Sequence, residues 1–178
     1  MTGMPIGRVR PASTSDAEAC LAIYRPYVTD TTISWELEVP SVAEMAGRIA
    51  DAHEWLVLER EGRVVGFAYG HVLWRLPSFQ WSVETGIYVD PDRHRTGCGR
   101  QLYTELLRRL AERGYRQALA GITQPNEASN AFHRSFGFRD AGLYRRVAWK
   151  HGRWHDVAWM QVDLAGTAEP DEPPRPIA

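Results

Sequence analysis

Ile87-Tyr88-Val89-Asp90-Pro91-Asp92-Arg93-His94-Arg95-Thr96-Gly97-Cys98-Gly99-Arg100-Gln101-Leu102 is the stretch that decides how this chain folds. β-Branched and aromatic residues open it and Asp90-Pro91 break the run. A basic loop carrying Gly97 and Gly99 follows, and Leu102, Leu106 and Leu110 then recur four apart. The order is strand, glycine loop, helix start. Glycine reaches positive φ without a Cβ clash, so such a loop can turn several backbone N–H groups toward one centre. The helix behind it adds its own unpaired N–H groups and the positive end of its dipole. The stretch reads as an anion cradle suited to a pyrophosphate.

Three phosphate readings compete at this loop. A dinucleotide fingerprint places another glycine where Leu102 stands, and a Walker loop ends in Gly-Lys-Ser/Thr where Gly99-Arg100-Gln101 stands. Both fail on those residues. A glycine-rich turn that binds nothing stays open on the loop alone.

Outward from the loop, the composition describes one ordinary domain. The chain has 178 residues, 44% of them hydrophobic, enough for a single sizeable core. A formal net charge of −1 gives no broad field for nucleic acid or an anionic membrane. No apolar run approaches the roughly 18 residues of a membrane span, and no signal-peptide core is evident, so a cytoplasmic location is expected. Cys20 and Cys98 show neither metal nor redox spacing. His151 and His155, followed by Asp156, lack further ligands, and no metal site is expected.

Residues 6–10 read as a first strand, and Ser13 to Asp16 as an N-cap cluster for a helix ending near Pro26 to Val28. The segment from Thr29 to Glu36 is polar but carries Ile33 and Trp35; Trp35 either packs on the core or walls a substrate pocket. Pro40-Ser41 start a second helix with Val42, Met45 and Ile49 on one face. Residues 55–58 and 63–69 form a hairpin around Glu61-Gly62, and Pro77-Ser78 turn the chain into a strand over 81–89. Strand alternation puts Val83, Thr85, Ile87 and Val89 on one face and Glu84, Gly86 and Tyr88 on the other; Gly86 marks a bulge or a close approach by a ligand. A strand over 116–122, a helix over 127–136 closed by Gly137, and a hairpin of 138–148 with 154–164 complete a domain over residues 1–164. The Pro- and acid-rich tail 165–178 is expected to be disordered or to lie along the surface.

Two segments carry a family resemblance. His94-Arg95-Thr96-Gly97-Cys98-Gly99 is similar to the acetyl-CoA loop Gln/Arg-x-x-Gly-x-Gly/Ala of the GCN5-related N-acetyltransferases, with His in the first place. Asn126-x-x-Ser129-x-x-Phe132-His133-x-x-Phe136-Gly137-Phe138 resembles that family's downstream Asn-x-x-Ala-x-x-Leu-Tyr-x-x-x-Gly-Phe. The resemblance implies an α/β (α+β) fold: a mixed, mostly antiparallel twisted sheet of about seven strands flanked by about four helices, splayed between the fourth and fifth strands. It implies acetyl-CoA as co-substrate, held by Ile87, Tyr88 and Val89 of a bulged strand, by Arg95, Thr96, Gly97, Cys98, Gly99 and Arg100, and by Asn126 and Ser135.

The chemistry that follows needs a neutral amine, a polarised carbonyl and a proton for the leaving thiolate. Glu84 is the candidate base, since an α-amino group is mostly ammonium at neutral pH; its bland alternative is a solvated strand residue. The Val89 N–H is the candidate donor to the carbonyl oxygen. His133 falls where many relatives carry a Tyr and can donate to the thiolate or accept from the amine; its alternative is a packed helix histidine. Direct attack without an acyl-enzyme is implied, although Cys98 is a nucleophile in principle.

Lys150-His151-Gly152-Arg153-Trp154-His155-Asp156 looks like the Lys-x-Gly-x-Trp-x-Asp segment of phosphinothricin N-acetyltransferases and relatives that acetylate methionine sulfoximine and sulfone. The likeness runs through Trp81–Val89, Arg95–Gly99, Leu102-Tyr103 and Pro125-Asn126 and spans nearly all of residues 7–164. It implies a homodimer with no nucleic-acid or membrane partner, and a substrate groove between the Trp35 loop and Arg75. Relatives carry a second arginine after Trp-Arg/Lys, and here Leu76-Pro77-Ser78-Phe79-Gln80 has none. Another amine acceptor, such as a peptide N-terminus or polyamine, and a CoA-binding module without turnover stay as alternatives.

Overall fold

The computed structural model describes residues 7–166, 169–170 and 172–175. Seven strands, β1 (Arg8–Pro11), β2 (Glu54–Arg60), β3 (Arg63–Val72), β4 (Ser82–Val89), β5 (Gln117–Gln124), β6 (Arg139–Lys150) and β7 (Arg153–Asp163), form one sheet in the order β1-β2-β3-β4-β5-β7-β6. Every pairing is antiparallel except β4 with β5. Four α-helices, α1 (Ala17–Thr29), α2 (Val42–Asp51), α3 (Cys98–Glu112) and α4 (Glu127–Arg134), cover it.

The sheet is buried on both faces over β2 to β4, and its sequence pattern says why. On β2, Leu56 and Leu58 turn to a core built by Leu102, Tyr103, Leu106 and Leu110 of α3. Trp55 and Val57 turn to the opposite core, built by Tyr24, Tyr27 and Val28 of α1 with Met45 and Ile49 of α2. A strand apolar on both faces needs helices on both sides. The alternation expected for β4 holds: Val83, Thr85, Ile87 and Val89 face α3, and Tyr88 faces α1.

The β4–β5 pairing decides where a ligand can enter. It covers only Ser82↔Gln117, Val83↔Ala118 and Glu84↔Leu119; beyond that β4 stays with β3 and β5 with β7. The strands part. At the fork the Thr85 hydroxyl donates to the Leu119 carbonyl at 3.0 Å and meets the Tyr103 hydroxyl at 2.8 Å.

Several sequence expectations need correction. β1 begins at Arg8, later than expected, and Ile6 lies outside the described residues. β4 begins at Ser82 and carries no bulge: its register against β3 is unbroken from Val72↔Val83 to Gly66↔Val89, whereas β3 shifts register on its other side, against β2, where Val65 is the extra residue between Leu58↔Gly66 and Glu59↔Val64. Gly86 is approached by the protein's own Tyr69 and not, as the sequence suggests, by a ligand: a Cβ there would sit 2.4 Å from the Tyr69 ring. α4 stops at Arg134, short of Phe136. Gly137 then takes φ 86°, with Phe138 N–H donating to the His133 carbonyl and Gly137 N–H to that of Arg134. That double bond pattern is a Schellman stop. The described tail residues lie against the domain: Trp81 Nε1 donates to the Glu172 carbonyl at 2.9 Å and Arg175 N–H to that of Arg113 at 2.8 Å.

Candidate active site

The fork exposes backbone, and the register says which residues supply it. Asp90 N–H donates to the Val65 carbonyl, so the residues of β4 that bond to β3 are Glu84, Gly86 and Tyr88. Thr85, Ile87 and Val89 direct their N–H and C=O groups the other way, toward the gap. The Val89 carbonyl accepts from the Tyr27 hydroxyl at 2.5 Å, and that hydroxyl meets His94 Nε2 at 2.7 Å. Ile87 and the Val89 N–H remain facing the opening. Tyr88 differs: its backbone belongs to the β3 ladder, and its ring packs edge-on against Tyr24 and Tyr27.

The glycine loop ends at the same place. Gly97, at φ 82°, is the N-cap of α3 and brings no side-chain cap; the first helical bond is Gln101 N–H to the Gly97 carbonyl at 3.0 Å. The N–H groups of Cys98, Gly99 and Arg100 therefore have no helical acceptor. A Cβ on Gly99 would lie 3.3 Å from the Phe132 ring and 3.7 Å from Ile87 Cδ1, so the start of α3, the fork strand and α4 meet there. Arg60 braces the loop by donating to the Thr96 carbonyl at 3.3 Å, and the Thr96 hydroxyl donates to the Arg93 carbonyl at 2.6 Å. Arg95 sits in the left-handed region at φ 59°. Arg100 spans the Phe136 ring, 5.3 Å away, and reaches Ser135 Oγ at 3.3 Å. The Asn126 side chain caps α4 by accepting the Ser129 N–H at 3.1 Å. Cys98 is 1% exposed and its sulfur points inward, which removes it as a nucleophile.

On the α1 and α2 side of the fork lies a cavity of about 710 Å³, lined among others by Glu84, His133, Trp35 and Arg75. Glu84 is partly enclosed; burial raises its pKa, against the opposing field of His71. His133 is buried, and its Nδ1 lies 2.8 Å from the Ser129 carbonyl. A carbonyl only accepts, so Nδ1 carries the proton and Nε2 keeps its lone pair. Burial lowers the pKa of this ring, which holds it neutral, while the bond to Ser129 acts the other way.

Trp35 belongs to the rim of this cavity. The side chain is 42% exposed and lines the cavity, and Nε1 donates to Thr123 Oγ1 at 2.7 Å. Its ring lies over Gly121, where a Cβ would fall 2.5 Å from it. Arg75 stands exposed in the loop after β3.

Sequence reasoning missed what holds this wall. The Tyr24 hydroxyl donates to Glu36 at 2.8 Å and accepts from Ser34 at 2.6 Å, and Arg48 grips the same carboxylate at 2.5 and 3.1 Å. Lys150, 6% exposed, donates to the Ser34 carbonyl at 2.8 Å. It also missed His71, which stands directly across from Glu84 in the β3–β4 register and lines the same cavity. These contacts join residues far apart in the chain, and no local spacing announces them. Among the described residues, no group of His, Cys, Asp and Glu side chains gathers to hold a metal ion.

Comparison with known proteins places this geometry. Residues 19–138 match the family model described as acetyltransferase (GNAT) family. A phosphinothricin N-acetyltransferase of Streptomyces viridochromogenes is 34% identical over 172 residues, covering 95% of this chain and 92% of the relative. An L-methionine sulfoximine/L-methionine sulfone acetyltransferase of Pseudomonas aeruginosa is 35% identical, covering 89% and 95%. The crystal structure of a GNAT superfamily phosphinothricin acetyltransferase from Sinorhizobium meliloti, in complex with AcCoA, superposes with a TM-score of 0.89 at 33% identity, over 94% of this chain and 95% of that one.

Proposed function

The chain belongs to the GNAT acetyltransferase family and is an acetyl-CoA-dependent N-acetyltransferase, and we propose that its acceptor is the α-amino group of a phosphinothricin-like amino acid: phosphinothricin, methionine sulfoximine or methionine sulfone. The observation that carries this reading is the convergence of Glu84, His133, Trp35 and Arg75 on one cavity beside the fork.

The residues present fit the cofactor. The start of α3 is open, with left-handed Gly97 and no side-chain cap, and suits a pyrophosphate on the N–H groups of Cys98, Gly99 and Arg100. Arg95, Thr96 and Arg100 frame that loop, Ser135 meets Arg100 from the end of α4 while Asn126 caps that helix at its start, and Ile87 offers strand-like partners to a pantetheine amide. Tyr88, with its backbone in the β3 ladder and its ring packed against Tyr24 and Tyr27, is left to shape the strand from behind. Acetyl-CoA supplies an activated acetyl thioester; the chain's own residues handle orientation and protons.

Arg75 takes the acceptor's acid, and Trp35 closes over its side chain. Glu84 removes the first proton of the ammonium, directly or through water. The Val89 N–H donates to the carbonyl oxygen as charge develops on it. His133 Nε2, a lone pair at neutral pH, takes the second amine proton and returns it to the departing sulfur.

The substrate groove also bears on assembly. Leu143, Tyr144, Val147 and Trp149 of the edge strand β6, with Trp154 of β7, stand 47 to 54% exposed. An apolar unpaired edge suits a second copy of this chain, and Lys150 ties the end of that edge to the Trp35 loop. Both features support a homodimer with its grooves beside the interface.

Steady-state thiol release from acetyl-CoA tests the reading. Methionine sulfone, methionine sulfoximine and phosphinothricin are expected to be turned over well above a peptide N-terminus or a polyamine. Glu84→Gln is expected to lose about a hundredfold or more in kcat while its affinity for acetyl-CoA is kept. Preferred turnover of the peptide or polyamine would reassign the acceptor, and full activity in Glu84→Gln would remove Glu84 from the chemistry.

A further inference from the structure

Glu84 and His133 alone do not complete the proton stoichiometry at this site. An ammonium acceptor gives up two protons in becoming an amide; one finishes on the coenzyme sulfur, and the other must leave the cavity on every turnover. Glu84 receives that proton in a partly enclosed position, and a carboxyl that cannot discharge stays protonated and idle.

We propose that His71, standing across the β3–β4 ladder from Glu84, takes this proton from the Glu84 carboxyl and releases it to solvent. The inference rests on Glu84 being the base. In the step, the O–H bond on Glu84 breaks as an N–H bond forms on His71, leaving carboxylate and imidazolium. The imidazolium then protonates water and the neutral ring returns. No redox partner or further reactant is required.

The geometry supports each part. His71 and Glu84 are direct register partners and share one face of the sheet. Side chains so placed start about 4.5–5.5 Å apart at Cβ, within reach of each other or of one bridging water. His71 Nδ1 lies 2.9 Å from the Val72 carbonyl, so it carries the ring proton and Nε2 is the acceptor. The ring is stacked on Tyr69, with centroids 5.5 Å apart and planes 20° apart, which fixes its orientation. Its exposure is intermediate, so the ring itself reaches water.

The other titratable groups around the pair are engaged, exposed or held neutral. From α2, Arg48 is engaged by Glu36, while Glu44 is engaged with Ser41 at the helix start; Asp51 is exposed at the end of the helix. Beyond β3, Arg75 is exposed in its loop and assigned to the acceptor's acid. His53, before β2, is held toward its neutral form by burial, with His71 and Arg113 adding to the effect. His133, from α4, has its Nδ1 at the Ser129 carbonyl.

The test is the pH profile of kcat and of kcat/KM for the wild type, His71→Ala, His71→Gln and Glu84→Gln, each with and without imidazole in the buffer. Melting temperature and acetyl-CoA affinity are measured alongside. His71→Ala is expected to lose about tenfold in kcat and to move its acid limb to higher pH, because the positive neighbour of Glu84 is gone. Imidazole should restore part of the rate in His71→Ala and none in Glu84→Gln. His71→Gln keeps a polar side chain of similar reach but carries no proton, and is expected to lose the same rate without loss of melting temperature. A loss with neither limb shift nor imidazole rescue would make His71 merely structural and overturn the relay. Profiles identical to wild type, with Glu84→Gln inactive, would overturn the relay and leave the base. Full activity in Glu84→Gln would instead bring down the base reading itself.

Discussion

Glu84 and His133 are perturbed by the same cause, burial, with opposite consequences for pH. For Glu84, burial raises the folded pKa. The native state then binds the proton more tightly, and this term favours folding below the ordinary carboxylate pKa and is lost as pH rises through the folded value. For His133 the folded pKa is lowered. Its contribution is present above the ordinary imidazole pKa and is lost as pH falls toward the folded value. Glu84→Gln is therefore expected to melt at a higher temperature than wild type near neutral pH, with the gain shrinking on acidification, while activity is lost throughout. A scan of melting temperature against pH checks this; an advantage that grows toward low pH would contradict the assignment. Gly97 was legible from the sequence because its role is local: φ 82° at a helix start is a backbone demand that a side chain opposes at about 1–2 kcal/mol. Gly97→Ala is expected to lower acetyl-CoA affinity, read by calorimetry. His71 was illegible because its meaning lies in a register between two strands, and nothing around it in the chain points across.

At the scale of elements, the fork is what the sheet contributes, and it depends on α3 being held against β2 and β3. Glu54 opens β2 at 1% exposure and lies between Arg109 Nε at 3.1 Å and Arg113 Nε at 2.8 Å, from the end of α3. The two arginines are themselves partly in water, so removing the carboxylate leaves cations that can rehydrate, and the loss falls below that of a fully buried pair. Glu54→Ala is expected to cost about 1–3 kcal/mol, measured as a lower urea midpoint with unchanged slope; a midpoint within error of wild type would show that the clamp does not anchor the helix. The strand, loop and helix around Gly97 were readable from periodicity, as was the glycine stop of α4. The expected bulge in β4 was not found, because a glycine in a strand has two explanations and only the position of Tyr69 decides between them. The end of α4 was overrun for a related reason: Phe136 continues the apolar pattern of the helix while already belonging to its closing turn.

For the molecule as a whole, the exposed aliphatic and aromatic side chains of β6 and β7 sit on the edge that a second copy would cover. Trp149→Glu with Trp154→Glu is expected to give a monomer by light scattering while the melting transition stays cooperative. A dimer unaffected by that pair would place the contact elsewhere. The order of elements and the glycine loop were legible in the chain because they are sequential. The cavity beside the fork was legible only in outline, since Tyr24, Arg48 and Lys150 meet Ser34 and Glu36 through contacts spanning up to 116 positions. The most direct test of the account is the initial rate of thiol release from acetyl-CoA with methionine sulfone as acceptor, compared between the wild type and Glu84→Gln. The account predicts saturable turnover in the first and a drop of about a hundredfold or more in the second, with equal acetyl-CoA affinity. Equal rates in the two proteins, or no turnover in a wild type that binds acetyl-CoA, would contradict it.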